Sequence, residues 1–233
     1  MSKIPIALSW SGGKDCSYAL HLIQQEGKYE VKYLLSTCNT HTRELNMHHL
    51  HETLITAQAA AIGIPLLLSH VAGTSNAQYE AALQSSIQQL QQQGIYAIAF
   101  GDIFLEDIRQ YREQLMTQLG MQVVFPLWQL PTNHLLQSMI QSGFKAMICC
   151  IDAQRIPTQW LGKMLDDKSM AMLPQDIDPC GENGEFHTFC VDGPVFQYPL
   201  HIKTGAISSQ RMTIATNRFA IFSWVHIHLL PQP

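Results

Sequence analysis

The sequence predicts an α/β fold, a doubly wound parallel sheet with a smaller C-terminal α+β domain. Three observations lead there. Short apolar runs alternate with stretches of helical periodicity through the first half of the chain, the pattern of repeated βαβ units. The first of these runs feeds directly into a glycine turn and then a helix. From Pro131 the alternation breaks down, and the last third reads as short β-like runs separated by turn residues. With 233 residues, 46% of them hydrophobic and 14% charged, the chain can bury one large core or two small ones. The change in pattern divides it into residues 1–128 and 129–233.

Taken in order, residues 4–8 form a buried strand, and Tyr18, Ala19, Leu22 and Ile23 recur at helical spacing over residues 16–26. Residues 31–38 are a second strand, followed by a polar loop at 39–43. Ser36 and Thr37 at its carboxyl end either line an adenine or ribose pocket or belong to a plain structural loop. A helix is expected over residues 47–62, with Leu50, Leu54, Ile55, Ala57 and Ala61 on one stripe. His48 and His51 then share a face. A solvated turn is favoured there over substrate contact, and substrate contact over a metal site with Glu44 and Glu52. A third strand at 64–69 leads to a helix at 77–93 with a glutamine-rich, solvated side. A fourth strand at 95–100 ends in Gly101-Asp102, which is either an active-site position or the cap of the next helix. That helix, 106–120, carries Arg109 and Arg112, which either grip an anion or pair with Glu106, Asp107 and Glu113. A strand at 122–128 closes the first half. Beyond it come a helix at 133–142, a strand at 144–151, a helical segment at 158–165, and β-like runs at 195–202, 206–216 and 218–230. Residues 72–76 and 197–199 read as turns.

The chemistry concentrates in two stretches. Ser9-Trp10-Ser11-Gly12-Gly13-Lys14-Asp15-Cys16-Ser17 joins strand to helix. Glycines there can turn N–H groups inward, the helix N-terminus adds partial positive charge, and Lys14 adds a full one. Such a turn grips phosphate, and Asp15 can hold a Mg²⁺ that bridges phosphates. The spacing matches neither a Walker A loop nor a dinucleotide fingerprint. The second stretch, Gly181-Glu182-Asn183-Gly184-Glu185-Phe186-His187-Thr188, packs two carboxylates, an amide, an imidazole and a hydroxyl into eight residues. Those groups either handle a nucleophile, a water or an ion, or form an exposed polar turn.

Ser11-Gly12-Gly13-Lys14-Asp15 resembles the PP-loop of the N-type ATP pyrophosphatases, with Cys16 where the usual loop has Ser. Residues 178–188 resemble the second signature of the diphthine–ammonia ligase family, whose usual form is Gly-Glu-Gly-Gly-Glu-Tyr-Glu-Thr. Asn183 and His187 replace a usual Gly and Glu. Gly101-Asp102-Ile103, Pro126-Leu127-Trp128, Gly143-Phe144 and Trp160-Leu161-Gly162 are similar to further pieces of that family, so the likeness runs to about Phe196. It implies an adenine nucleotide alpha hydrolase-like fold that binds ATP through Ser9, Ser11, Gly12, Gly13, Lys14, Asp15, Cys16, Ser17, Ser36, Thr37, Gly101 and Asp102. It implies Lys14, Asp15, Glu182 and Glu185 as catalytic, Mg²⁺ on Asp15, and an acceptor side of Gly181, Glu182, Asn183, Gly184, Glu185, His187 and Thr188. In the ligase, ATP adenylates the carboxylate of diphthine on elongation factor 2, and ammonia displaces AMP. Bacterial members act on an acceptor that is not settled. Two other readings stay open: a PP-loop enzyme with a different acceptor, such as tRNA or a small metabolite, and an ATP sensor without turnover.

The net charge of −4, with no Lys/Arg-rich run, argues against a protein that holds nucleic acid by its phosphates. Six cysteines without a Cys-x-x-Cys are the usage of a reducing cytosol, so a cytoplasmic location is expected. No signal peptide is expected before the first strand, and no apolar run approaches transmembrane length. The partners expected are ATP, ammonia or an amine donor, and an acceptor that can be a protein. A homodimer is among the options.

Overall fold

A computed structural model of the chain describes residues 2–45, 47–73, 75–215 and 218–231. The first half runs β1 (Ile4–Ser9), α1 (Lys14–Glu26), β2 (Tyr29–Asn39), α2 (Glu52–Ile62), β3 (Leu66–Val71), α3 (Asn76–Gln92), β4 (Ala97–Ala99), α4 (Glu106–Gln118) and β5 (Gln122–Val124). These strands form one parallel sheet in the order β3-β2-β1-β4-β5. The two-residue period of β1 sorts the helices between its faces. Ile6 and Leu8 pack with Leu20 and Ile23 of α1 and Leu54 and Ile55 of α2. Ala7 packs with Leu83, Ile87 and Leu90 of α3 and Leu115 and Met116 of α4. The sheet is therefore doubly covered, as the alternating pattern predicts. Strand order reverses between β1 and β4, and a crevice opens there at the strands' carboxyl ends.

The second half adds α5 (Thr132–Gln141), β6 (Lys145–Asp152), α6 (Asp167–Met172), β7 (Phe186–Asp192), β8 (Ile202–Ala215) and β9 (Arg218–Leu229). Its strands make a four-stranded sheet ordered β7-β6-β9-β8, antiparallel at every pairing. The core beneath α1 and α2 continues into this sheet through Leu135, Ile148, Phe186 and Phe222.

Several boundaries differ from expectation. The helix expected over 47–62 begins only at Glu52. Met47 and His49 take φ of +65° and +51°, which no helix admits, and Leu45 donates its N–H to Leu50 at 2.8 Å. His51 is the N-cap, accepting from the Thr53 N–H at 3.3 Å, so His48 and His51 share no helix face. The strand expected over 122–128 stops at Val124, before Pro126. The helical segment at 158–165 is a single 3₁₀ turn, Thr158–Trp160, ended as Gly162 takes φ +81°. Helix α6 went unread. It is set by a capping box between Asp166 and Ser169. Residues 195–201 are turns and irregular chain around Pro199 rather than a strand, and β8 starts at Ile202. Thr216, the expected end of that hairpin strand, and Thr74, within the turn expected at 72–76, lie outside the described residues.

All six cysteines are free and buried. Among the described residues, no helix is long and apolar enough to cross a membrane.

Candidate functional site

The glycine turn opens at the crevice by necessity of its neighbours. Gly12 sits at φ +80°, and a Cβ there would fall 2.7 Å from both Gln58 Oε1 and Ile55 Cδ1. Gly13 is the N-cap of α1 and offers no side chain to fill the first turn. Its missing Cβ leaves room for Thr188, whose carbonyl and hydroxyl oxygens would lie 3.2 Å from such an atom. The Thr188 hydroxyl accepts the Lys14 N–H at 3.0 Å, across 174 residues of sequence. Strand β7 also joins the loop directly, since Cys190 donates its N–H to Gly12 O at 2.8 Å. Gln58 locks the junction. It accepts from the Trp10 indole at 3.0 Å and donates to Gly12 O at 2.9 Å and to Cys190 O at 2.6 Å.

The Lys14 ammonium is only 3% exposed. It donates to Asp15 Oδ2 at 3.0 Å and to the Cys180 carbonyl, and lies 5.3 Å from the Phe186 ring centroid. Burial works against its charge, but Asp15, Cys180 and Glu182 outweigh burial and lift its pKa above the ordinary value. Burial pushes the Asp15 carboxyl up, an effect that Lys14 opposes. Asp15 Oδ1 is buried without a hydrogen-bond partner among the described residues.

Around these groups lies a cavity of about 240 Å³. Ser9, Ser11, Gly13, Lys14, Asp15, Cys16, Gly101, Asp102, Gly181, Glu182, Gly184, His187 and Thr188 all line it, so both sequence motifs meet in one cleft. A second cavity of about 160 Å³ adjoins it, sharing Ser9, Ser11, His48, Phe100 and Arg112, and includes Thr37. Other predicted residues fall outside the lining. Gly12 shapes the turn from behind. Ser17 turns its hydroxyl onto Gly13 O at 2.8 Å, and Ser36 bonds Trp10 O at 2.6 Å. Asn183 and Glu185 serve the second loop itself. The Glu185 carboxylate, 0% exposed, accepts from Arg155 at 2.9 Å, from the Asp178 N–H at 3.1 Å and from Asn183 at 3.1 Å.

Glu182 does reach the cleft. It takes the Ile103 N–H at 2.8 Å, which ties the second motif to the turn after β4. Burial moves it from the ordinary 4.5 to about 7, with Asp15 and Asp102 pushing the same way and the Ile103 and Phe104 N–H groups pulling back. Asp102 is raised by burial, an effect that Arg112, 2.8 Å away, counters. Arg112 thus faces the cleft, while Arg109 pairs with Glu113 at 2.8 Å on its own helix. His187 meets His48 at a ring separation of 4.4 Å, and its Nε2 is buried without a partner among the described residues. Burial first, then the imidazole of His48 and the Lys14 charge, hold His187 well below its usual pKa, so it is neutral at pH 7.

Sequence reasoning missed Gln58 as the clamp of the glycine turn. A lone amide among the apolar positions of α2 was the available signal. It also missed the Thr188 hydroxyl on α1, which no local pattern announces.

Two family models match the chain, one after the other. Residues 4–123 match the diphthamide synthase N-terminal domain, and residues 131–219 match the diphthamide synthase C-terminal domain. The chain is 31% identical to diphthine–ammonia ligase of Bos taurus over 131 residues, 54% of this chain and 48% of that protein. It is 25% identical to diphthine–ammonia ligase of Mus musculus over 251 aligned positions, 97% of this chain and 91% of that one. The match therefore spans about half the length of the bovine relative and most of the murine one. Among solved structures, the U34-tRNA thiolase NcsA of Methanococcus maripaludis is similar at a TM-score of 0.39 and 14% identity, over 60% of this chain and 58% of that one. With one family domain covering more than half of its length and the second following directly, the chain belongs to the diphthamide synthase family.

Proposed function

We propose that this chain is an ATP-dependent, amide-forming ligase, with residues 1–128 holding ATP and residues 129–233 forming the acceptor side. The observation that carries the reading is the docking of the second motif on the glycine turn. Thr188 caps the helix that Lys14 begins, and the Cys180 carbonyl takes the Lys14 ammonium. A triphosphate on the turn and an acceptor on Gly181, Glu182, Gly184 and His187 would share one cleft. That two of the relatives above are named diphthine–ammonia ligase supports the same reading.

In the first step an acceptor carboxylate oxygen attacks the α-phosphorus, the α–β bridge breaks, and pyrophosphate leaves. In the second, ammonia attacks the acyl carbon, AMP departs, and one proton is lost. Lys14 and the N–H groups of the first α1 turn stabilise charge on the leaving pyrophosphate. Arg112 stands at the junction of the two cavities, within reach of a phosphate. Neutral His187 beside His48 accepts the proton that the nitrogen nucleophile gives up. Mg²⁺ fits the cleft, because Asp15 Oδ1 has no hydrogen-bond partner among the described residues and Asp102 and Glu182 line the same cavity. When bound, the ion neutralises phosphate charge.

The test is incubation with α-labelled ATP and Mg²⁺, with and without ammonium and a cell extract. AMP that forms only with extract supports the reading and locates the acceptor there. ADP as product overturns it, and tight ATP binding without any product makes the chain a sensor instead.

A further inference from the structure

On the opposite side of β2 from the cleft, three ligating side chains converge. Cys38 and His70 are register partners on the parallel strands β2 and β3, so both leave the sheet on the same face. Glu52 opens helix α2 above them. Its Oε2 lies 3.0 Å from His70 Nε2 and 3.5 Å from Cys38 Sγ, and the three ligand atoms all fall within 4.8 Å of one another. The neighbouring Thr37 lines the second cavity, whereas Cys38 is fully buried away from it.

We propose that Cys38, Glu52 and His70 form a binding site for one divalent cation of the zinc class. The donor set is one sulfur, one imidazole nitrogen and one carboxylate oxygen, which suits zinc rather than magnesium or calcium. Around a tetrahedral zinc, ordinary bond lengths put nitrogen and oxygen ligands about 3.4 Å apart, and sulfur and oxygen about 3.6 Å apart. The Cys38–Glu52 separation already matches. His70 must withdraw by a few tenths of an ångström, and its side chain, 35% exposed at the sheet's end, is free to do so. That exposure also leaves a fourth position for water. Arg43 pairs with Glu52 Oε1, which turns Oε2 alone toward the ion. Without metal, burial and Glu52 hold the Cys38 thiol up at about 11. Metal binding forms the S–metal bond and sends the thiol proton to solvent. Residues 38 and 52 bracket the segment that carries His48 into the cleft, so the ion clamps both ends of that segment against β3.

The alternative is a network in which Arg43, His70 and the Cys38 thiol simply satisfy the Glu52 carboxylate. Cobalt(II) titration of the chelator-treated full chain separates the two. The proposal expects one equivalent bound, a thiolate-to-cobalt charge-transfer band that zinc bleaches, and one proton released per ion. Cys38→Ser loses the band. His70→Ala, with unchanged circular dichroism, binds at least tenfold more weakly, and His226→Ala binds as wild type. No charge-transfer band at one equivalent, a band that survives in Cys38→Ser, or wild-type affinity in His70→Ala would each overturn the site.

Discussion

The turn at residues 10–13 is shaped by glycine main chain and one clamping side chain, Gln58, whereas the loop at 178–188 is shaped by its own side chains and Arg155. In the first, Gly12 takes φ +80°, and its carbonyl accepts from Cys190 N–H and from Gln58. In the second, Asp178 Oδ1 accepts the N–H groups of Cys180 and Glu182 at 2.9 and 3.1 Å, and Glu185 gathers Arg155, Asn183 and the Asp178 N–H. The difference bears on the three positions that depart from the resembled motifs. Cys16 stands where the resembled loop has serine; its thiol donates to Gly13 O at 3.2 Å and accepts from the Ser11 hydroxyl at 3.6 Å. Asn183 and His187 fall in the loop whose side chains do the holding, and there a replacement alters the site itself. Asn183 feeds Glu185, while His187 sets a neutral imidazole against the cleft.

The contrast can be broken most severely at Lys14, the buried cation at the end of the glycine turn. Lys14→Ala is expected to lower AMP formation by about 10²–10³-fold with circular dichroism unchanged, and wild-type turnover in that variant would remove the lysine from the mechanism. Gly12→Ala asks the turn for a side chain it has no space for. Strain at φ +80° and displacement of Gln58 should lower stability by about 2–3 kcal/mol in urea denaturation. A smaller loss would mean that the loop relaxes. Glu185→Gln keeps an acceptor but removes the charge opposite Arg155, so a loss of about 1–2 kcal/mol is expected. Any activity that remains should have an unchanged KM for ATP, because Glu185 does not face the cavity.

The smallest effect sharpens the comparison through pH. Glu182 is pushed up from 4.5 to about 7, so the folded chain keeps a proton that the unfolded chain has released. Its contribution to stability is whole below pH 4.5 and declines as pH rises through 7. Glu182→Gln should flatten that decline, matching wild type near pH 4.5 and exceeding it at pH 8. Parallel denaturation curves for the two proteins across that range would show that Glu182 is not the group that titrates.

Much of this was legible because it is local. Runs such as 4–8 and 95–100 are apolar, flanked by turn residues and separated by helical periodicity, so the doubly wound sheet could be read from them. The glycine turn between β1 and α1 was readable for the same reason. What failed was conformational or long-range. Nothing in Met47 or His49 announces a positive φ, so helical periodicity runs through residues that fold back on Leu45. The pairing of Asp102 with Arg112 follows from tertiary packing and not from spacing along one helix. The motif points to Glu185 as catalytic, and nothing in that motif announces that its carboxylate is buried against Arg155, Asn183 and the Asp178 N–H.

The sealed ammonium of Lys14 has a thermodynamic consequence. With a carboxylate and a carbonyl already at its donors, Lys14 holds stand-ins for the phosphate oxygens that the proposed function would bring to it. A triphosphate arriving there substitutes for contacts instead of adding to them. The measured dissociation constant is then a difference between two filled coordination sets, smaller than the phosphate contacts alone imply. On the proposed function, pyrophosphate would leave by the reverse substitution, its place retaken by groups that never left the cleft.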